Sequence, residues 1–261
     1  MKRPPVIPVE ESFDKFVYQL GGKRVSDLLV DSANFQKNAD YWFSTPRVIL
    51  ELKCFEKDLF NSEEDAERLV KLQNKWEKQG LTTGSDFIQF LFNVKPLPPE
   101  CYRDMVSACR RTIESAIRKA KTQLIESRKI SGLENAETLI LLANDGNYFL
   151  QHPQMFSLIC NLMATNFADA PISGIVYFTA NMPASIRDED REMLCWFPAY
   201  SDTANEDLAH FVNYLGEQWW SFYQSLVEQE FHPAIQLGSN FDKEISFLKS
   251  MKHLKKFKNR N

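Results

Sequence analysis

Long apolar runs are what this sequence most clearly lacks. The longest, such as Ile140 to Ala143, are far shorter than the roughly 20 residues that cross a bilayer, so no membrane partner is expected. Cysteine is also scarce. Cys54, Cys101, Cys109, Cys160 and Cys195 are odd in number and scattered, with no Cys-x-x-Cys pair and no histidine at zinc spacing. That argues against a disulfide framework or a zinc centre and for reduced thiols filling a core in a cytoplasmic protein. No Gly-x-x-x-x-Gly-Lys loop is present, which removes the P-loop NTPases. No Gly-x-Ser-x-Gly elbow is present either, so a serine nucleophile is not indicated. The opening Met-Lys-Arg-Pro-Pro is followed by no apolar segment of signal-peptide type. His152, His210, His232 and His253 stand apart without ligand spacing, and the sequence assigns them no role.

What is there is ordinary globular composition: 261 residues, 44% hydrophobic and 25% charged. Such a chain can bury a sizeable core. The net charge of −4 does not advertise a polyanion partner; nucleic-acid binding would need local basic patches.

Along the chain, residues 1–9 read as a proline-rich arm. Glu11 to Leu20 reads as a helix with Phe13, Phe16, Val17 and Leu20 on one stripe, stopped by Gly21-Gly22. Lys23 to Val30 reads as a first strand, interrupted by Asp27. Tyr41–Phe43 and Arg47–Cys54 read as a strand pair around Thr45-Pro46. Residues 55–100 change character and read as a helical insertion packed over that hairpin. One helix is capped by Asn61 or Ser62 and ends at Gly80, and a second is capped by Ser85. Pro96-Leu97-Pro98-Pro99 follows as a rigid linker. Cys101 to Lys129 is the longest helical signal. Thr138–Asn144 and Ser173–Thr179 are continuous apolar strands separated by a helix over 153–167, the pattern of a parallel crossover. After Ala180 the strand signal ends. Helices are expected over 204–230, with Trp219 and Trp220 as core, and over 241–258.

The hairpin carries the chemistry. The register that sets Ser44 opposite Arg47 also sets Asp40 opposite Glu51. A slip by two residues sets Asp40 opposite Lys53 instead. Either way Asp40, Glu51 and Lys53 share one face, while Val48, Leu50 and Leu52 fill the other. Two carboxylates at one point repel unless a cation joins them. Oxygen ligands of this kind suit Mg²⁺, which keeps several waters and takes phosphate oxygens. A metal so held polarises a phosphoryl group and activates water. A Glu-x-Lys on a strand is also a common solvated pair, so the upstream aspartate and the apolar flanks carry the reading.

The order helix, strand, hairpin, insertion, long helix, strand, helix, strand, with Asp40 before Glu51-Leu52-Lys53, resembles the PD-(D/E)XK nuclease superfamily over about 10–54 and 101–180. Ala39 stands where the family motif has proline. The resemblance implies an α/β fold: a restriction-endonuclease-like core with a mixed central sheet flanked by helices, a helical insertion and a helical C-terminal extension. The division expected is 1–54 and 101–180 for the two halves of the core, 55–100 for the insertion and 181–261 for the extension. The function implied is metal-dependent hydrolysis of phosphodiester bonds, first of all in DNA, with RNA as another substrate. Asp40 and Glu51 would hold Mg²⁺, with Mn²⁺ as a substitute, and Lys53 would position the attacking water. An acid on the first helix would assist, Glu11 before Glu10. Arg110, Arg118, Lys121 and Gln123 on the long helix would meet nucleic acid. The alternative is a nuclease-like protein that does not cut. It would bind nucleic acid or a protein partner, or self-associate, within a defence or repair complex.

The last stretch holds Lys249, Lys252, Lys255, Lys256 and Lys258. Each phosphate contact contributes roughly 0.9 to the log–log salt slope of duplex binding. Deleting 249–261 is expected to weaken DNA binding at low salt and to flatten that slope, read by anisotropy titrations. Unchanged affinity and slope would make the tail a solvated end.

Overall fold

The structure, a computed structural model, describes residues 6–28, 38–56, 63–91, 94–130, 132–147, 152–181, 184–185, 192–193 and 195–228. The helix expected over 241–258 and the proposed caps Asn61 and Ser62 lie outside these residues.

The first helix, α1 (Val9–Gln19), buries Val9, Phe13, Phe16 and Val17. It stops at Gly21, whose φ of +80° is cheap only for glycine. The strand expected next is cut to β1 (Lys23–Arg24), and Val25–Leu28 form a 3₁₀ turn. There Asp27 accepts the Tyr18 hydroxyl at 2.7 Å instead of joining a ladder. The hairpin follows as β2 (Tyr41–Phe43) and β3 (Val48–Phe55). Tyr41 pairs with Leu50, Trp42 with Ile49 and Phe43 with Val48, the register that sets Asp40 opposite Glu51. The Thr45–Pro46 peptide is cis, which proline adopts at the second central position of a tight turn.

The insertion forms α2 (Glu63–Lys78) and α3 (Gly84–Leu91). Thr83, not Ser85, starts α3: its hydroxyl accepts the Asp86 N–H while Asp86 accepts the Thr83 N–H, a reciprocal cap. The insertion docks on the start of α4 (Pro99–Ser127) instead of over the hairpin. Trp76, Phe87 and Leu97 pack with Cys101 and Met105. Trp76 Nε1–H donates to Asp104 at 2.8 Å, and Lys75 pairs with the same carboxylate. The buried indole needed an acceptor, and Asp104 supplies it.

The chain continues through β4 (Glu137–Asn144), α5 (His152–Thr165) and β5 (Gly174–Thr179). The short strands β6 (Ala184–Ser185) and β7 (Glu192–Met193) pair with each other. Last come β8 (Trp196–Tyr200) and α6 (Glu206–Val227). One mixed, open six-stranded sheet results, in the order β1-β2-β3-β4-β5-β8. The β3, β4 and β5 strands are parallel to one another; β1, β2 and β8 run antiparallel to their neighbours. The described residues therefore form an α/β fold with six α-helices around this sheet.

Strand alternation divides the core. Ile49, Ile140, Leu142, Ile175 and Tyr177 face α4 and α5. Val48, Leu50, Leu52, Leu139, Leu141, Val176 and Phe178 face α1 and α6. Trp219, fully buried, lies 5.0 Å from Phe13 and 5.2 Å from Phe16, ring to ring, so it belongs to the core as expected. The expectation that strands end at Ala180 is corrected by β8. Pro198 sits inside it, and proline is admitted to edge strands because its missing N–H is not needed on the open side.

Gly216 on α6 lets β8 approach. A Cβ there would stand 2.6 Å from Trp196 Nε1 and 2.8 Å from two ring carbons. Gly216→Ala is expected to destabilise the fold by about 1–3 kcal/mol through overpacking, read as a lower urea midpoint with an unchanged m-value.

Candidate active site at the hairpin

β2 leaves β3 at Asp40. The Asp40 N–H still donates to the Leu50 carbonyl at 3.1 Å, and then its side chain takes over from the backbone. Asp40 Oδ2 accepts the Leu52 N–H at 2.8 Å. The carboxylate is thus clamped beside Glu51 by the ladder position the departing strand no longer fills. The preceding residues are tied to α4: the Ala39 N–H donates to the Ser127 hydroxyl at 2.7 Å, and Gln123 donates to the Asn38 carbonyl at 3.1 Å. The end of the long helix therefore fixes where Asp40 stands.

Glu51 is fully buried. Its Oε1 accepts a hydrogen bond from Lys53 Nζ, while Oε2 has no partner. An orphaned, buried carboxylate oxygen is costly. Burial, then the negative charge of Asp40, pushes the Glu51 carboxyl from its ordinary 4.5 to about 8 against the pull of Lys53 and, more weakly, of the Asp40 N–H. Burial also raises Asp40, against the Leu52 N–H and Lys53, and the charges of Glu10 and Asp14 push the same way.

The structure brings Asp40, Glu51 and Lys53 together. It does not bring Glu11, which is exposed and pairs with Lys15 at 2.7 Å. Glu10, one residue earlier and the second choice from the sequence, is the α1 acid whose charge acts most on Asp40. Its field reaches both Asp40 and Cys54. The missed signal was an i,i+4 pattern: Glu11 faces Lys15, whereas Glu10 and Asp14 share the neighbouring row.

The long-helix residues are mostly engaged elsewhere. Arg110 donates to Asn161, Thr165 and Asn166 and ties α4 to α5. Arg118 pairs with Glu114 at 2.6 Å. The Lys121 ammonium lies 5.9 Å from the centre of the Phe167 ring. Of the four, Gln123 alone reaches the segment carrying Asp40.

Among the described residues no group of three or more His, Cys, Asp and Glu is clustered so as to hold a metal. The donor set at the hairpin is two carboxylates, one with an unpartnered oxygen. That fits a hard cation that completes its shell with water and phosphate oxygens. No helix among the described residues is long and apolar enough to cross a membrane. No family model, curated protein or solved structure matches the chain.

The raised Glu51 pKa has a signed consequence. The folded state holds this proton more tightly than the unfolded chain, so the stability it contributes is full below about pH 4.5 and is lost as pH rises through about 8. Glu51→Gln keeps the shape without the titration. Its melting temperature is expected to exceed that of wild type by about 4 °C or more at pH 8.5, with the gap closing toward pH 5. Parallel melting curves across that range would refute the assignment.

Proposed function

We propose that the chain is a metal-dependent nuclease of the PD-(D/E)XK type, with DNA as its first substrate. The observation that carries this reading is the half-buried Asp40 beside the fully buried Glu51, with Glu51 Oε2 left without a partner beside Lys53. Two neighbouring carboxylates with raised pKa values, one fully and one half buried, form a site whose free energy falls when a divalent cation joins them. The topology supports the same reading. A helix, an antiparallel β1-β2-β3 meander, and a long helix crossing over to a parallel β4 are the expected restriction-endonuclease-like order.

Asp40 and Glu51 would hold Mg²⁺ or Mn²⁺, which when bound supplies Lewis-acid polarisation of the phosphoryl group and an acidified water. The rest falls to side chains. Asp40 is held rigid by the Leu52 N–H, so its oxygen presents one fixed direction. Lys53 is part-exposed on the strand that carries Glu51, and its ammonium can orient the attacking water or meet the charge that develops on the phosphate. Gln123 braces the approach to Asp40.

Hydrolysis of plasmid and linear DNA with Mg²⁺ or Mn²⁺ tests this. Asp40→Ala and Lys53→Ala are each expected to lower the rate by about 10²-fold or more. Mn²⁺ is expected to raise the melting temperature of wild type, since it binds only the folded state, and to leave Asp40→Ala unmoved. Equal cleavage by wild type and both variants would sink the proposal. Intact DNA binding with no heat on Mn²⁺ titration would identify a nuclease-like chain that binds without cutting.

A further inference from the structure

A second polar centre lies on the same face of the sheet as Glu51 and Lys53. Lys53 is in register with Leu142 on β4, and Leu142 with Tyr177 on β5. Tyr177, Asn144 and Asn147 are fully buried, and His152 at the start of α5 is half-buried. The Tyr177 hydroxyl is 2.9 Å from Asn144 Nδ2 and 2.7 Å from His152 Nδ1.

Proton positions in this network follow from donor counting. Asn144 Oδ1 accepts the Asn147 N–H at 2.9 Å, so its Nδ2 faces the Tyr177 oxygen and the Asn147 carbonyl and donates to both. The Tyr177 oxygen is then an acceptor toward Asn144, and its own buried hydrogen is satisfied within this network only when His152 Nδ1 is the acceptor. Burial drives the His152 pKa down to about 4, which keeps the ring neutral. A neutral imidazole carries one N–H. With Nδ1 accepting, that hydrogen sits on Nε2, which has no partner among the described residues. The chain thus builds a neutral donor with a fixed tautomer, oriented from behind by two buried side chains.

The donor's place suggests its ligand. Asn144 is in register with Phe55, two residues beyond Lys53. By strand geometry Asn144 stands on the order of 8 Å from Lys53, at the carboxyl end of parallel strands where α/β sheets take ligands, and His152 lies beyond its amide, across hydrogen bonds of 2.9 and 2.7 Å through the Tyr177 hydroxyl. Successive phosphates of one strand are spaced about 3.4 Å along a duplex axis. A donor beyond this distance meets a phosphate several nucleotides from the reactive one. We propose that His152 Nε2–H binds a backbone phosphate oxygen of the nucleic acid and fixes its register at the hairpin site, with Tyr177 and Asn144 as positioning residues. This rests on the nuclease reading above. It assigns His152 a positioning contact, not a role in bond breaking.

Two isosteric variants separate this contact from a structural role. His152→Asn retains an acceptor near the Nδ1 position for Tyr177 and removes the outer donor. His152→Gln keeps a donor near the Nε2 position. Binding of a labelled DNA duplex is followed by anisotropy with Ca²⁺ at 50–200 mM salt, concentrations spanning the range over which phosphate contacts are read. His152→Asn is expected to bind about tenfold more weakly with an unchanged salt slope, because no cation is lost. His152→Gln is expected to recover most of the affinity. Imidazole ¹⁵N spectra of the wild type are expected to show the Nε2–H tautomer at pH 7 and a shift of His152 on adding duplex. An Nδ1–H tautomer, no shift with duplex, or wild-type affinity in a folded His152→Asn would overturn the proposal. If wild type binds but does not cut and His152→Asn still binds weakly, hydrolysis fails while the contact stands. If wild type cuts and His152→Asn is unaffected, the contact alone fails. Wild type that binds no duplex overturns both.

Discussion

The constraint on which this structure depends is the burial of Glu51 beside Asp40. A carboxylate that is fully buried, flanked by another and left with an unpaired oxygen is a state folding should avoid. It persists because neighbouring elements leave it no alternative. β3 is locked by β2 on one side and by the full-length parallel ladder with β4 on the other. Its odd-numbered side chains, Glu51 among them, must face α4, because the even-numbered set is committed to α1 and α6. A one-residue slip to relieve Glu51 would turn Val48, Leu50 and Leu52 out of their core. The hydrophobic pattern of one strand thus holds its own acid in place.

That pattern explains what was legible in the sequence. The register that sets Asp40 opposite Glu51 follows from a tight turn between two alternating segments, and both signals are local. Thr138–Asn144 and Ser173–Thr179 were readable because strands covered on both faces are continuously apolar. β8 was not. Its residues are only half-buried, its centre is Pro198, and its pairing partner β5 lies some twenty residues upstream. The docking of α2 and α3 was illegible for a related reason. It depends on Trp76 finding Asp104, a contact across 28 residues that no periodicity announces.

The candidate site was legible in its acids and not in its surroundings. Asp40, Glu51 and Lys53 are separated by strand geometry alone, so counting along the chain finds them. The cations of α4 were legible as a face but not in their partners, because a helix face does not reveal which neighbour will claim it. Arg110 is consumed by α5, and Arg118 is neutralised one turn away by Glu114. His152 was passed over because the sequence shows a histidine without ligand spacing. Only the fold brings Tyr177, 25 residues later, against its Nδ1.

These placements bear on how an acidic chain could hold a polyanion. Among the described residues, Arg24, Lys53, Lys75, Lys95, Arg118 and Lys129 each stand against a carboxylate. Paired cations release fewer counterions when a phosphate arrives, so they add little to salt-dependent attraction. A site built on this body must then draw its affinity from groups that are not already neutralised. Cations without a carboxylate partner among the described residues, such as Arg110 and Lys121, are one kind; a divalent ion between Asp40 and Glu51 and a neutral donor such as the His152 imidazole, whose hydrogen bond survives salt, are two others. The metal would supply charge complementarity that the paired cations have spent on their carboxylates. The same ion that answers the unpaired oxygen of Glu51 would then make the surface receptive to phosphate.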